Sequence, residues 1–247
     1  MSRPIVLVSP DRDFQKTRRG DVPIHVLDQR YAWAVQRAGG LPIVAPYTED
    51  AELLEQTLDL CHGVLLTGGD FDVDPGLFHE ARHPSLGKIK DDRTAFESAM
   101  LEGAIKRNLP VLGICGGMQL MNVLVEKGTL WQDLPSQNKS DVEHEQVASK
   151  NEAGHVVHIV EGSRLASVFG VGDLGVNSTH HQAIRDVGIG LQACAFASDD
   201  VVEAIEKEGN LFFVGVQWHP EAMVDDERQQ KLYSAFVQAA QLFQNQS

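Results

Sequence analysis

Val111-Leu112-Gly113-Ile114-Cys115-Gly116-Gly117-Met118-Gln119 is the stretch on which the reading of this chain turns. Pro110 to Ile114 is a short unbroken apolar run, the pattern of a strand buried on both faces, and Met118 to Val125 continues as a helix. Between them the sequence has the form Gly-x-Cys-x-Gly, a nucleophile elbow with sulfur in place of oxygen. A nucleophile on so tight a turn sits at strained backbone angles, and a neighbour with a Cβ would crowd it. A helix starting at Gly116 aims unpaired N–H groups and its positive end at the sulfur, which favours a thiolate there. An isolated buried Cys is more often a packing residue. The strand, the flanking glycines and the following helix shift Cys115 to the role of nucleophile.

Working outward, the first two thirds of the chain alternate. Pro4 to Ser9, Leu41 to Pro46 and Gly63 to Thr67 read as strands. Leu27, Tyr31, Ala34, Val35 and Ala38 recur at helical spacing until Gly39-Gly40; Asp50 to Leu60 is a helix with Asp50 at its N-cap, and Asp91 to Asn108 is another. In the last third His155 to Val160, Leu191 to Ala197, Val201 to Ile205 and Leu211 to Trp218 are strand-like without obvious helices between them, so hairpins or an antiparallel edge are expected. Glu227 to Phe243 closes the chain as an amphipathic helix with Leu232, Phe236, Ala239 and Phe243 on one stripe. Ser136 to Ser140 reads as a loop. The fold class expected is α/β, a mostly parallel central sheet flanked by helices, with antiparallel strands in the C-terminal third and residues 1–247 as one domain.

A thiolate nucleophile needs a base and a group to orient it. Val214-Gly215-Val216-Gln217-Trp218-His219-Pro220-Glu221 offers both. Pro220 holds His219 extended and blocks the ladder beyond it, so the imidazole belongs at a strand's end. Glu221 can then turn back and fix its tautomer. A His-x-Glu alone is usually a surface pair; beside the elbow it becomes a base and its orienting carboxylate.

Gly-Ile-Cys-Gly-Gly-Met-Gln (113–119) with Gly-Val-Gln-Trp-His-Pro-Glu (215–221) resembles the class I glutamine amidotransferase superfamily, whose domain is flavodoxin-like. Leu-Leu-Thr-Gly-Gly-Asp-Phe-Asp-Val-Asp-Pro (65–75) and Asn-Ser-Thr-His-His-Gln-Ala (177–183) narrow the resemblance to its γ-glutamyl hydrolase branch, of the peptidase C26 type, from residue 4 to about residue 240. The resemblance implies a Cys115, His219, Glu221 triad and an oxyanion hole from Gly116 and the Gly68-Gly69 turn. It implies glutamyl contacts from Gln119, with His180 or Gln182 lining the same pocket. The reaction implied is hydrolysis of a γ-glutamyl amide through a glutamyl thioester, with no cofactor. Many members carry Arg directly after the nucleophile where this chain has Gly116, which leaves the acyl donor open but not the reaction class. Arg93 resembles a position near the mouth of the site, though it reads more simply as a salt bridge at a helix start.

The remaining features mostly exclude. The chain has 247 residues, with 35 acidic against 21 basic side chains and a net charge of −14, which disfavours nucleic acid and anionic membrane as partners. Hydrophobic residues at 43% and charged residues at 23% are ordinary for a globular protein. Cys61, Cys115 and Cys194 cannot make a disulfide framework, nothing at Met1-Ser2-Arg3-Pro4 reads as a secretory leader, and no stretch approaches the ~18 apolar residues of a membrane helix. A cytoplasmic protein acting on a small-molecule substrate is expected, with a homodimer as the default assembly. Asp70 to Pro75 has calcium-loop spacing, but Pro75 and Ala81 stand where such a loop needs glycine and glutamate, so it reads as the rim of the glycine turn or a cap. No metal site is expected. His155 and His158 fall on opposite faces of a strand, as do His180 and His181, and Pro84 weakens a helical pairing of His79 with His83. Two other functions compete: a glutaminase subunit feeding ammonia to a separate synthetase, and a silent binding protein on the same scaffold.

Overall fold

The computed structural model describes residues 2–125, 128–209 and 211–246. In chain order these form β1 (Ile5–Val8), β2 (Asp11–Thr17), β3 (Gly20–Val26), α1 (Gln29–Arg37), β4 (Leu41–Val44), α2 (Ala51–Asp59), β5 (Gly63–Leu66), α3 (Asp91–Lys106), β6 (Val111–Ile114) and α4 (Gly116–Val125). There follow β7 (Thr129–Trp131), α5 (Leu134–Gln137), β8 (His155–Ile159), α6 (Arg164–Phe169), β9 (Gly172–Val176), β10 (Ala183–Asp186), β11 (Leu191–Ala197), β12 (Val202–Lys207), β13 (Phe213–Val216) and α7 (Glu227–Gln244).

The main sheet runs β4-β1-β5-β6-β13-β12-β11-β8-β9, with β10 and β7 branching from β12. The first five strands are mutually parallel, and from β12 onward neighbours are antiparallel. This is the α/β fold expected, with its antiparallel part in the last third. The parallel strands are covered on both faces, which explains their unbroken apolar character. Val6, Val8, Leu112 and Ile114 pack towards Tyr31 and Val35 of α1 and Leu232 and Phe236 of α7. Leu7, Leu66 and Val111 face the other way, towards Leu58 of α2, Met100 of α3 and Met121 of α4. The alternation is the two-residue period of a strand. Asp50 caps α2, its carboxylate accepting from the N–H groups of Glu52 and Leu53.

Four features depart from expectation. Residues 11–26 form a two-stranded ribbon, β2 with β3, outside the main sheet. Strand β2 is polar apart from Phe14; in β3 Val22, Ile24 and Val26 alternate, but Pro23 interrupts the run, and most of the ribbon is exposed. Two of the short strands of the last third, β9 and β10, and the helix α6 between β8 and β9 were likewise unmarked. A short helix, α5, covers the start of the Ser136–Ser140 stretch. The buried side of α7 is Gln229, Leu232, Tyr233, Phe236, Val237 and Ala240, a wider stripe than the expected one, and Ala239 and Phe243 are only partly buried. Among the described residues no helix is long and apolar enough to cross a membrane.

Candidate active site

The parallel half of the sheet directs the ends of β5, β6 and β13 to one edge, the place where open α/β sheets hold their ligands. Cys115 follows β6 directly and begins the turn into α4. Its φ is +51°, in the left-handed region that costs a non-glycine residue about 1–3 kcal/mol. Two bonds hold the strained residue in place: Cys115 N–H donates to the Val216 carbonyl at 2.8 Å, and Cys115 C=O accepts from Gln119 N–H at 3.1 Å. The glycines of the elbow differ in their necessity. A Cβ on Gly117 would lie 2.5 Å from the Leu66 carbonyl oxygen, and one on Gly113 would lie 2.9 Å from backbone atoms of Gly117 and Met118. These two let strand and helix meet. A Cβ on Gly116 would meet only the Phe71 ring, at 3.8 Å. Glycine at 116 is therefore no steric requirement, and its N–H, the first of the helix, has no intrahelical partner.

His219 lies three residues beyond β13, the strand next to β6. Its backbone is clasped from both sides by one side chain: Asn177 Oδ1 accepts from His219 N–H at 2.7 Å, and Asn177 Nδ2 donates to the His219 carbonyl at 2.9 Å. Glu221 Oε1 sits 2.7 Å from His219 Nδ1, both side chains nearly out of solvent. The imidazole also interacts with the Cys115 sulfur. The site of a Cβ on Gly68 lies 2.8 Å from His219 Cε1 and 3.3 Å from Cys115 Cβ, so His219 and Cys115 flank the same small space. Burial works against a charged imidazole here. The Glu221 carboxylate and the Cys115 sulfur outweigh it and carry the His219 pKa up to about 10.

The glycine turn after β5 divides its duties. Gly68 N–H already donates to the Tyr31 hydroxyl at 3.0 Å, so Gly68 is not free to donate to a substrate. Burial pushes the Tyr31 phenol well above its ordinary value, which keeps it neutral. Gly69 lines the cleft together with Cys115, Gly116, Gln119, His180 and Gln182. Arg93, 1% exposed, braces this turn from behind. Its Nη2 donates to the carbonyls of Thr67 and Gly68, each at 3.0 Å, and pairs with Glu97 one helical turn along α3. The guanidinium also stacks over Phe71 at 4.4 Å. The salt bridge expected for Arg93 exists, but the residue is a buried strut under the cleft.

The expected glutamyl contacts are largely committed to scaffolding. Gln119 Nε2 donates to the Gln182 carbonyl at 2.9 Å and to Gln217 Oε1 at 3.1 Å. Gln217 Nε2 in turn approaches Cys115 Sγ at 3.5 Å. Gln182 Oε1 accepts from Val73 N–H. His180 Nδ1 bonds the Gln182 carbonyl, and its Nε2 points to Glu203. Of the acidic loop after the glycine turn, Asp74 caps the short turn Pro75–Phe78, and Asp72 accepts from His181 Nε2 at 2.7 Å. That bond, with the nearby Asp133, raises the His181 pKa to about 9. Sequence reasoning missed Tyr31, Asn177, Gln217 and Lys150. Lys150 lines the cleft on the His219 side, is exposed, and has no ion pair among the described residues. Nothing in a lone loop lysine or a helix tyrosine marks such roles; only the folded juxtaposition does.

A cysteine on a strand-to-helix turn of a mostly parallel sheet, faced by a His–Glu pair from a neighbouring strand, is the arrangement of the class I glutamine amidotransferase-like proteins. Within that class the chain belongs to the Peptidase C26 family, whose sequence profile matches residues 4–221. Similar proteins include NtpR of Enterococcus hirae, 40% identical over 215 residues, covering 85% of this chain and 87% of that protein. The gamma-glutamyl-gamma-aminobutyrate hydrolase PuuD of Escherichia coli K12 is 31% identical over 224 residues, covering 87% and 86%. A glutamine amidotransferase-like protein of Rickettsia prowazekii is 32% identical over 278 residues, covering 96% and 98%. Among solved structures, that of a GMP synthase subunit from Thermoplasma acidophilum superposes with a TM-score of 0.66 at 15% identity, over 99% of this chain and 98% of that one; at that identity the likeness is one of fold.

Proposed function

We propose that the protein hydrolyses a γ-glutamyl amide through a covalent thioester on Cys115. The observation that carries this reading is the shared space beside Gly68, which Cys115 Cβ and His219 Cε1 both border, with Glu221 2.7 Å behind the imidazole. The Cys115 sulfur attacks the γ-carbonyl carbon, and a C–S bond forms. The carbonyl oxygen becomes an oxyanion held by the N–H groups of Gly116 and Gly69; each such donor is worth roughly 3–4 kcal/mol in the transition state. His219 Nε2–H gives its proton to the amine nitrogen as the C–N bond breaks. Water then attacks the thioester, His219 takes its proton, and the C–S bond breaks to release glutamate and restore the thiolate. Glu221 accepts from Nδ1–H throughout and keeps Nε2 facing the sulfur. Lys150 serves as the counter-ion for a substrate carboxylate.

Among leaving groups, γ-aminobutyrate is the first to test, because two relatives about 30% identical carry that substrate in their names. The experiment is a panel of γ-glutamyl amides incubated with the purified protein alone, read by released amine. Turnover without any second protein separates a free-standing hydrolase from an ammonia-supplying subunit. Cys115→Ala is expected to remove nearly all of it while the fold persists. Full turnover in that variant overturns the reading.

A further inference from the structure

A second cluster of ionisable side chains lies in the antiparallel half of the molecule. Glu203, near the start of β12, is completely buried. Three imidazoles from three other segments converge on it. His144 Nδ1, from the loop before β8, is 3.3 Å from Glu203 Oε1; His155 Nε2, at the start of β8, is 3.2 Å away; His180 Nε2, between β9 and β10, is 3.5 Å away. All four side chains are less than a tenth exposed. Among the described residues His144 Nδ1, His155 Nε2, His180 Nε2 and both Glu203 oxygens nevertheless lack a hydrogen-bond partner. So dense a group of unpaired buried polar atoms carries a large desolvation cost unless something compensates it.

The outer contacts say what that is. His180 Nδ1 lies 3.0 Å from the Gln182 carbonyl, which can only accept, so this nitrogen carries the proton. In a neutral ring Nε2 is then a lone pair turned to Glu203. A lone pair aimed at a carboxylate oxygen repels it, and a cation between them turns the repulsion into ligation. His144 is set the same way, with Asp199 Oδ2 2.9 Å from its Nε2 and Nδ1 turned to the cluster. The carbonyl behind His180 and the carboxylate behind His144 are the usual outer support of a metal-binding histidine; His155 Nδ1 has no such partner among the described residues. The distances of the three nitrogens from Glu203 Oε1, 3.2–3.5 Å, are those of neighbouring ligand atoms on a tetrahedral zinc ion, about 3.3–3.5 Å for bonds of 2.0–2.2 Å, and the ligand atoms of His144, His155 and Glu203 lie within 4.8 Å of one another.

We propose that His144 Nδ1, His155 Nε2 and Glu203, whose ligand atoms lie within 4.8 Å of one another, form a site for a divalent transition-metal ion of the zinc class, with His180 Nε2, 3.5 Å from Glu203 Oε1, drawn in as the fourth ligand of a tetrahedron. Three nitrogens and one carboxylate are a ligand set suited to that class rather than to calcium or magnesium. The ion would tie the loop before β8, β8 itself, the 177–182 segment and β12 into one unit. Asn177, which clasps the His219 backbone, belongs to that segment, so the ion fixes the base from a distance. The expectation of no metal considered histidines close in sequence; His144 and Glu203 have no local partner to betray them.

The probe is Zn2+ titrated into chelator-stripped protein carrying Cys115→Ala, so that the thiol cannot bind it. One ion per chain by elemental analysis and a raised Tm on adding Zn2+ are expected. Replacement by Co2+ is expected to give the intense visible bands of a tetrahedral ion. His155→Ala should abolish tight binding, and Asp199→Asn, which leaves all four ligands, should weaken it roughly 10–100-fold. Should His155→Ala fail to fold, the Co2+ spectrum of the Cys115→Ala protein decides. Absence of stoichiometric binding, an octahedral spectrum, or unchanged affinity in Asp199→Asn overturns the proposal and leaves a proton-sharing cluster instead.

Discussion

Glu221→Gln probes the site's electrostatics with the smallest change of shape. The His219 pKa of about 10 stands against 6.5 for an ordinary histidine, which corresponds to roughly 5 kcal/mol of preference for the imidazolium, shared between Glu221 and Cys115. Both side chains are under a tenth exposed, so solvent screens little of it. Assigning about half to Glu221 gives ~2–3 kcal/mol, within the range for a hydrogen bond to a charged group. Glutamine removes that charge, and burial, the opposing influence, then dominates. An amide N–H turned towards Nδ1 would also select the wrong tautomer, which in serine triads costs about 10⁴-fold in kcat. The variant should therefore lose between ~10² and ~10⁴-fold in kcat/KM. Its alkaline limb should fall from near pH 10 towards neutrality, because the proton donor is lost earlier. Stability follows the same sign. A raised pKa contributes stability fully present below pH 6.5 and lost as pH rises through about 10, so Tm of the parent should decline across that window more steeply than Tm of the variant. The assay is kcat/KM for a chromogenic γ-glutamyl anilide from pH 5 to above 10, with Tm at each pH. A variant within threefold of the parent, with an unmoved alkaline limb, refutes the assignment of Glu221.

Further expectations follow from the glycines and the cleft. Gly68→Ala puts a methyl group 2.8 Å from His219 Cε1, so turnover should drop at least a hundredfold while circular dichroism stays native; retained turnover would mean that substrate does not use that space. Gly117→Ala drives a Cβ to 2.5 Å from the Leu66 carbonyl and should lower stability by about 1–3 kcal/mol, whereas Gly116→Ala should change it by less than about 0.5 kcal/mol. Equal losses in a urea titration would contradict this division. Lys150→Met should raise KM about tenfold or more with little change in kcat, and a lowered kcat at constant KM would remove Lys150 from substrate binding.

The parallel half of the fold was legible because β1, β5 and β6 are buried on both faces and so keep continuous apolar sequences. The placing of Cys115 on a tight turn and of His219 beside Glu221 was legible because strain and chain direction demand particular neighbours, Gly113, Gly117 and Pro220, at fixed spacing. The ribbon of β2 and β3 was not, since β2 has one apolar residue, Phe14, and the short alternation Val22, Ile24, Val26 in β3 is interrupted by Pro23. The buttress of Arg93 was not either: an Arg at a helix start looks the same whether it reaches solvent or turns under a glycine loop. Gln119, His180 and Gln182 line the cleft as expected, yet their polar atoms mostly bind one another or the scaffold. Composition and spacing report what a side chain can bond, but not which partner the fold brings first. His144, His155, His180 and Glu203 meet only through pairing of β12, β8 and their loops, contacts far apart along the chain.

The position of β13 has a consequence for how the protein comes into being. It is made after every other described strand, yet it lies in the middle of the sheet, between β6 and β12. Until it inserts, β6 presents an open apolar border, the kind of surface that holds a nascent chain in the care of chaperones. The same event delivers His219 to Cys115. Insertion and assembly of the site are thus one step: a nascent chain that stops short of β13 holds the Cys115 sulfur without the imidazole beside it.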